Sequence, residues 1–387
     1  MSHFKLKLPG LPFGRRMQWP QVAEIRDVAI TPLVAGSSKT RMAMAADPPS
    51  PLLGHFRYGR PHSVIQILPF EEEASTPITV IEEPVIYGGL LFRHFGHALS
   101  ESIHRLWPRL ALPDLAGAKI AFNPINHAKV MPYVIEALNL HGISGHQVLR
   151  IMEPTRFRKL FVGQQARQMA GPTLIPRYQT LLDQSLKQRL GPAGGTRRLY
   201  VSRMHHHHTG SFYGESFVEA ALTDQGFEVI YPEQYSLTEL VKLLRSSELA
   251  VFAEGSAIHA LELCGSATPA VFVIGRRKSS IPRFTPLLSN ICRKWTVSDR
   301  LLLNAGMASD RKKHSGLVDL AAVLDDLQSF AGRLNFDPNA GLQAREAVRR
   351  DLEQHIADSR NERTEDYDAR ARELRKIIEN AGAVSAS

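Results

Sequence analysis

Residues 199–275 read LYVSRMHHHHTGSFYGESFVEAALTDQGFEVIYPEQYSLTELVKLLRSSELAVFAEGSAIHALELCGSATPAVFVIG. Four short apolar runs stand out, at 199–202 (LYVS), 228–231 (EVIY), 249–253 (LAVFA) and 270–274 (AVFVI), each rich in β-branched or aromatic residues. Between them, residues 215–225, 237–246 and 256–263 carry apolar side chains at helical spacing. Helices alternating with short buried strands predict right-handed crossovers and a parallel sheet. Such a sheet binds ligands outside the carboxyl ends of its strands. One of those ends is Glu254-Gly255-Ser256-Ala257, a turn expected to open directly into a helix.

Working outward, residues 60–165 repeat the alternation less cleanly. Strands are expected at 64–70, 78–86, 119–122, 147–151 and 159–162. Helices are expected at 96–107, stopped by Pro108, and at 130–140, where Pro132 is acceptable in the first turn. A linker with Gly171, Pro172 and Pro176 leads to a helix over 177–190 and a Gly-Pro-Ala-Gly-Gly break at 191–195. The expected organisation is an irregular lead-in (1–60), an N-terminal α/β domain (61–170), a second α/β domain (171–335) and a charged helical tail (336–387). The apolar residues of the tail, Leu352, Ile356, Leu374, Ile377 and Ile378, are too sparse for a sustained coiled coil, so one thin stripe is expected to pack on the body. An Asp-x-Asp sequence at Asp366 and Asp368 falls in this tail, away from any strand end, and reads as surface.

The chain has 387 residues, room for two domains of ordinary size, with 43% hydrophobic and 22% charged residues, as in soluble globular proteins. Its formal charge of +9 favours anionic partners, such as nucleotides, acidic glycans, anionic lipids or nucleic acid. No basic patch interleaved with aromatics and no nucleic-acid motif supports the last of these. Cys264 and Cys292 have no ligand-like spacing, which fits a reduced compartment. Pro9 and Gly10 interrupt the N-terminus before an apolar signal region forms, and no window approaches the roughly 18 apolar residues of a membrane span. A cytoplasmic protein is expected, with loose contact to the inner membrane face left open.

On a helical wheel at about 100° per residue, His97, Glu101, His104 and Arg105 share one third of the circumference, and Leu99, Ile103, Leu106 and Leu110 lie opposite. Such a cluster suits acid/base work, because neighbouring charges move His and Glu toward neutral titration. It is also the pattern of a plain solvated face. Zinc at His97, Glu101 and His104 is a third reading, though the spacing is not that of the zinc protease helix.

At the turn, Gly255, Ser256 and Ala257 offer backbone N–H groups at the start of a helix, an arrangement that holds phosphate. Ser256 can cap the helix or bond a ligand oxygen, and His259 and Glu262 lie one turn in. Arg203 follows the strand 199–202 and is placed to pair with a diphosphate. The four histidines 205–208 read as a solvent loop near the ligand, since consecutive side chains of a loop diverge and make a poor metal site.

Taken in succession, three segments resemble glycosyltransferase family 61: 95–107 (FGHALSESIHRLW), like that family's Gly-His-x-x-x-Glu helix; 199–203 with 226–233 (GFEVIYPE); and 249–259 (LAVFAEGSAIH). The resemblance spans roughly residues 85–275. It implies an α/β chain with two Rossmann-like domains of the GT-B type, the charged helix being C-terminal to them. It implies an inverting transfer of a sugar from a nucleotide sugar, a UDP- or GDP-sugar, to a glycan or lipid-linked acceptor in cell-surface or capsular polysaccharide synthesis, with no metal or other cofactor. By the same resemblance Arg203 and the turn Gly255–Ala257 hold the diphosphate, and His97 or Glu101, from the other domain, faces the acceptor hydroxyl; His104 and Glu254 compete for the base role, and Glu254 also counts among the candidate substrate-binding residues. His104, Arg105 and His259 complete the candidate substrate-binding set. Many relatives place a His-Gly pair where this chain has Glu254-Gly255, and a carboxylate there repels a diphosphate unless it is paired. A polysaccharide pyruvyl transferase-like enzyme, a basic non-enzymatic anion binder and a zinc hydrolase are the competing readings.

Overall fold

The structure is a computed structural model of the chain and describes residues 22–35, 42–60, 62–70, 77–127, 129–169, 171–175, 177–307, 314–337, 341–359 and 367–384. It is an α/β protein whose chain divides into two compact units, residues 1–192 with 259–266 and residues 193–258 with 267–387.

The first unit is built on a mixed sheet of β1 (Val22–Ile30), β2 (Val34–Ala35), β3 (Met42–Asp47), β4 (Ile65–Pro69), β5 (Thr79–Ile81), β6 (Val85–Leu91), β7 (Lys119–Pro124), β8 (Val148–Arg150) and β9 (Thr155–Gly163). Its order is β2-β3-β1-β9-β6-β7-β8, with β4 on β3 and β5 on β9. The pairs β9-β6, β6-β7 and β7-β8 are parallel, whereas β1 runs antiparallel to both β3 and β9. β6 is buried along its whole length, as a parallel strand covered on both faces must be. Val28, Ile30, Val85, Tyr87, Phe157 and Leu160 form the centre of the core.

The irregular lead-in expected over 1–60 is therefore partly wrong. Residues 1–21 and 36–41 lie outside the described residues, but β1 and β3 are full members of the sheet. Glu24, Arg26 and Asp27 interrupt the apolar alternation of β1, and its buried residues crowd at 28–30, so no clean period appears in the sequence. The single strand expected at 78–86 is two, because Glu82, Glu83 and Pro84 separate β5 from β6.

The helix expected over 96–107 is also broken. α1 (Phe95–His97) widens into a π-helical turn at Ala98–Ser102, and α2 (Trp107–Ala111) starts afresh. Pro108, read as a stop, lies in the first turn of α2, where its missing N–H costs nothing. α3 (Pro132–Leu140) and α4 (Tyr178–Leu190) complete the unit.

The second unit holds a five-stranded parallel sheet of β10 (Arg197–Val201), β12 (Glu228–Ile230), β13 (Ser247–Ala253), β14 (Ala270–Ile274) and β15 (Trp295–Ser298) in the order β12-β10-β13-β14-β15. That is the 2-1-3-4-5 order of a doubly wound sheet. β11 (Phe212–Tyr213), β16 (Leu301–Ala305) and β17 (Ser315–Val318) form a small second sheet. The strands predicted from the four apolar runs are all present, and α5 (Glu215–Asp224), α6 (Leu237–Arg245), α7 (Ser280–Ile291) and α8 (Leu320–Ala331) cover them. Ser236 and Glu239 close a capping box on α6.

Residues 256–263, expected as an α-helix, form a 3-10 helix, and the chain passes into the first unit at His259. The charged tail is two helices, α9 (Gly341–Asp358) and α10 (Tyr367–Val384). Leu352, Ile356, Leu374 and Ile378 pack with Tyr213, Ala305 and Leu317, while Ile377 remains on the surface. Asp366 of the Asp-x-Asp sequence lies outside the described residues.

Candidate functional site

Two centres of buried charge occupy the first unit. The π-helical turn carries Glu101 inward, with its side chain fully buried. One carboxylate oxygen accepts from His55 Nε2 at 2.8 Å and Arg57 Nε at 2.7 Å; the other is 2.6 Å from His97 Nδ1 and accepts from Arg57 Nη2 at 2.9 Å. Burial raises the Glu101 pKa, but the bonds from His55, His97 and Arg57 outweigh it and hold the carboxyl far below its usual range. Burial lowers the pKa of His55. The neutral His55 ring thus donates from Nε2. His97 keeps 38% of its side chain exposed and stacks on Phe92, with ring centroids 5.3 Å apart.

The second centre is built the same way. Glu262 is buried, with one oxygen 2.8 Å from His104 Nε2 and 3.1 Å from Arg167 Nη1, and the other 2.8 Å from His259 Nδ1. The 3-10 helix makes this last bond natural, since residues i and i+3 eclipse in it. Burial works against the Glu262 charge, and the bonds from His104 and His259 overcome it. Burial keeps His104 neutral, and its ring meets Tyr178 edge-on at 5.8 Å. Tyr178 in turn lies 2.6 Å from His141 Nε2, a ring that burial pulls down to about 4.

The solvated face expected for the His97 helix is not what forms. Glu101, His104 and Arg105 are 2%, 0% and 3% exposed, because the unit closes around both sides of the turn. Arg105 donates to the carbonyls of Gly163 and Gly54, and burial lowers its pKa to about 10. His104 is committed to Glu262, so the zinc reading of this helix loses a ligand. Among the described residues, no group of three His, Cys, Asp or Glu is arranged to hold a metal ion.

The second unit gathers cations at the carboxyl ends of β10, β13 and β14. Arg203 follows β10, and its backbone N–H donates to Glu215 at 2.6 Å. Its guanidinium donates to Gly210 O and Thr209 Oγ1 and lies directly against Gly255. A Cβ at position 255 would stand 2.3 Å from an Arg203 nitrogen, so this approach requires glycine.

Glu254 is fully enclosed and accepts from Arg276 N at 3.0 Å, Arg277 Nε at 2.8 Å, Arg277 Nη2 and Ser280 Oγ. The carboxylate that threatened to repel a diphosphate is thus neutralised by Arg277. Burial, then Arg277 and Arg203, lower Arg276 to about 9, and burial and Arg277 lower Arg283. The guanidinium groups of Arg203, Arg276, Arg277 and Arg283 therefore all lie within electrostatic reach of Glu254. Ser256 and Ala257 are half-buried at the adjoining turn.

Sequence reasoning did not find His55, Arg57, Arg167, Arg276, Arg277 or Arg283. The basic run after Gly275, at the end of an apolar strand, was a usable signal for two of them. His55 and Arg57 gave none, standing 46 and 44 residues from Glu101. In the His run, His205 stacks on Tyr231 at 4.2 Å, and Glu233 bridges His205 and His206.

The fold and these centres define an α/β protein with two buried carboxylates that each orient a partly exposed imidazole and a third that is held among guanidinium groups. Residues 95–271 match the model of the family Glycosyltransferase 61. The match covers somewhat less than half of the chain and makes it similar to a family of glycosyltransferases. No curated protein matches the chain. No helix of the described residues is long and apolar enough to cross a membrane.

Proposed function

We propose that the protein is an inverting glycosyltransferase of the GT-B type. It moves a sugar from a UDP- or GDP-sugar to a glycan or lipid-linked acceptor in cell-surface polysaccharide synthesis, on the cytoplasmic side of the membrane. The observation that carries this reading is that the family match spans both the His97–Glu101 pair and the Arg203–Gly255 contact.

The geometry favours His97 over Glu101 as the base. Both Glu101 oxygens are engaged by donors inside the unit, and its side chain has no exposed surface. A group so held does not reach an acceptor hydroxyl. His97 is partly exposed, and its Nδ1 is fixed on Glu101, which directs Nε2 to the far side of the ring. Glu101 is then a positioning residue that sets the tautomer and stabilises the imidazolium, with His55 and Arg57 holding Glu101.

In the reaction the acceptor oxygen forms a bond to the anomeric carbon as the bond to the diphosphate oxygen breaks. The hydroxyl proton goes to His97 Nε2, and the electron pair leaves with the nucleoside diphosphate. Arg203, Arg277 and Arg283, with the N–H groups of the Gly255–Ala257 turn, offset the charge that develops on that leaving group. Glu254 takes no part in contact with substrate; it aims Arg277.

Thermal-shift measurements with UDP and GDP test the donor side. Saturation at 100 times Kd stabilises the fold by about 2.7 kcal/mol. A rise of several degrees with one of them is expected, and Arg277→Gln removes it. No shift with any nucleoside diphosphate contradicts the reading.

A further inference from the structure

The contact of Arg203 with Gly255 has two unlike flanks in the second unit. Past β14 stand Arg276 and Arg277, with Arg283 on α7, a cationic surrounding suited to phosphate oxygens. Past β12 stand an aromatic pair and a carboxylate. Ser202 N donates to Ile230 O at 2.9 Å, which sets the carboxyl ends of β10 and β12 side by side. Arg203 follows the one strand and Tyr231 the other. His206 N donates back to Arg203 O at 2.8 Å, so the chain turns at once and lays His205 on Tyr231, with ring centroids 4.2 Å apart and planes 17° from parallel.

This corner is fixed from within and open from without. The Tyr231 hydroxyl donates to Glu219 at 3.3 Å, which holds the phenol ring. Glu233 lies 2.6 Å from His205 Nδ1 and 3.3 Å from His206 Nε2, one imidazole on each oxygen. His205 nevertheless keeps 50% of its side chain exposed and Glu233 32%. Tyr231 covers one face of the imidazole, so the exposed surface is that of its other face and edge. A flat ring held in this way accepts another flat ring. Each oxygen of Glu233 has two lone pairs and one imidazole fills one, which leaves room for a hydroxyl to donate. A carboxylate repels phosphate, so this flank suits the neutral part of a ligand whose anionic part lies among the arginines.

We infer that His205, Tyr231 and Glu233 receive the nucleoside of the donor. The base stacks on His205, the ribose 2′-hydroxyl donates to Glu233, and the diphosphate continues to Arg203 and the arginines past β14. The inference rests on the reading of this unit as the seat of a nucleotide sugar, and it gives that nucleotide a direction across the sheet. It also makes the site one for ribonucleotides, since a 2′-deoxy sugar leaves the carboxylate without that donor.

The test is calorimetric titration of the full chain with UDP, GDP, their 2′-deoxy forms and, as a probe without a nucleoside, pyrophosphate. One of the two ribonucleotides at least should bind about tenfold or more tightly than pyrophosphate, and its 2′-deoxy form about tenfold more weakly than the ribonucleotide itself. His205→Ala should weaken that ribonucleotide about 10- to 100-fold and leave pyrophosphate unchanged, whereas His205→Phe, which keeps a flat ring, should retain most of the affinity. Glu233→Ala should erase the preference for ribose over deoxyribose. His205 lies on the surface, so its replacement leaves the fold intact. A parallel loss of pyrophosphate binding in His205→Ala would mark a merely structural effect and overturn the assignment. Nucleotide binding by His205→Ala at the wild-type strength would overturn it as well and leave the glycosyltransferase reading standing. Failure of UDP, GDP and pyrophosphate alike to bind the wild type would remove both.

Discussion

Replacing Glu101 by Gln keeps its shape and removes its charge, and the consequence can be worked out bond by bond. The carboxylate receives bonds from His55, from Arg57 twice and from His97, at 2.6–2.9 Å. An amide has one accepting oxygen, so its NH2 group confronts either His97 and Arg57 Nη2 or His55 and Arg57 Nε. No cavity opens, but the Arg57 guanidinium is left without its counter-charge. Breaking a buried pair by removing one partner costs about 3–5 kcal/mol. Arg57 keeps 21% of its side chain exposed, which places the cost near the lower end, about 3 kcal/mol. At roughly 2–4 °C per kcal/mol the melting temperature should fall by about 6–12 °C. His97 loses its orienting acceptor at the same time, and sugar transfer should fall by about 10²–10⁴-fold. The assay pairs calorimetry with initial-rate measurements, and adds Arg57→Met to Glu101→Gln. Removing the orphaned cation should restore part of the stability, with a coupling of about 0.5–3 kcal/mol, and none of the activity. A Glu101→Gln protein that melts like the wild type and transfers sugar at its rate would refute the assignment of Glu101 as the residue that holds the base.

Three further outcomes follow from the geometry. Gly255→Ala places a Cβ 2.3 Å from the Arg203 guanidinium and must displace it; nucleoside diphosphate affinity, read by calorimetric titration, should drop by about 1.5–3 kcal/mol, roughly 10- to 100-fold. Burial lowers His141 from 6.5 to about 4, so the folded state binds fewer protons than the unfolded chain between those values. Its contribution is therefore complete above pH 6.5 and is lost as pH falls toward 4, by about 3 kcal/mol, a slope that His141→Gln should flatten in urea unfolding followed across this window. Asp351 accepts from Gly214 N at 2.9 Å, Ser216 N at 3.2 Å and Ser216 Oγ at 2.7 Å, tying α9 to the start of α5; Asp351→Ala strands these donors and should cost about 1–3 kcal/mol, seen as a lower melting temperature.

The second unit was legible because its signals are local. The four apolar runs marked β10, β12, β13 and β14, and the intervening periodicity marked α5 and α6. The contact of Arg203 with Gly255 joins two of those strand ends, where a doubly wound sheet brings residues far apart in the chain side by side. The first unit was less legible for a physical reason. β1 carries charges across its alternation and gains its order from pairing with β9, more than a hundred residues on. The wheel through His97, Glu101 and His104 assumed a uniform helix with one wet face. The π-helical turn and the burial of Glu101 and His104 both depend on partners, His55, Arg57 and Glu262, that no local pattern announces. Glu254 illustrates the same limit: its charge was readable, but its neutralisation by Arg277 depends on the neighbouring strand.

The most direct test of the central claim is the rate of sugar transfer from labelled UDP- and GDP-sugars to glycan acceptors by the wild-type protein and by His97→Gln, with nucleoside diphosphate binding measured on the same samples. The wild type should transfer with inversion at the anomeric carbon, and His97→Gln should bind the nucleotide unchanged while transferring about 10²–10⁴-fold more slowly. Transfer by His97→Gln at the wild-type rate, or retention of anomeric configuration, would contradict it.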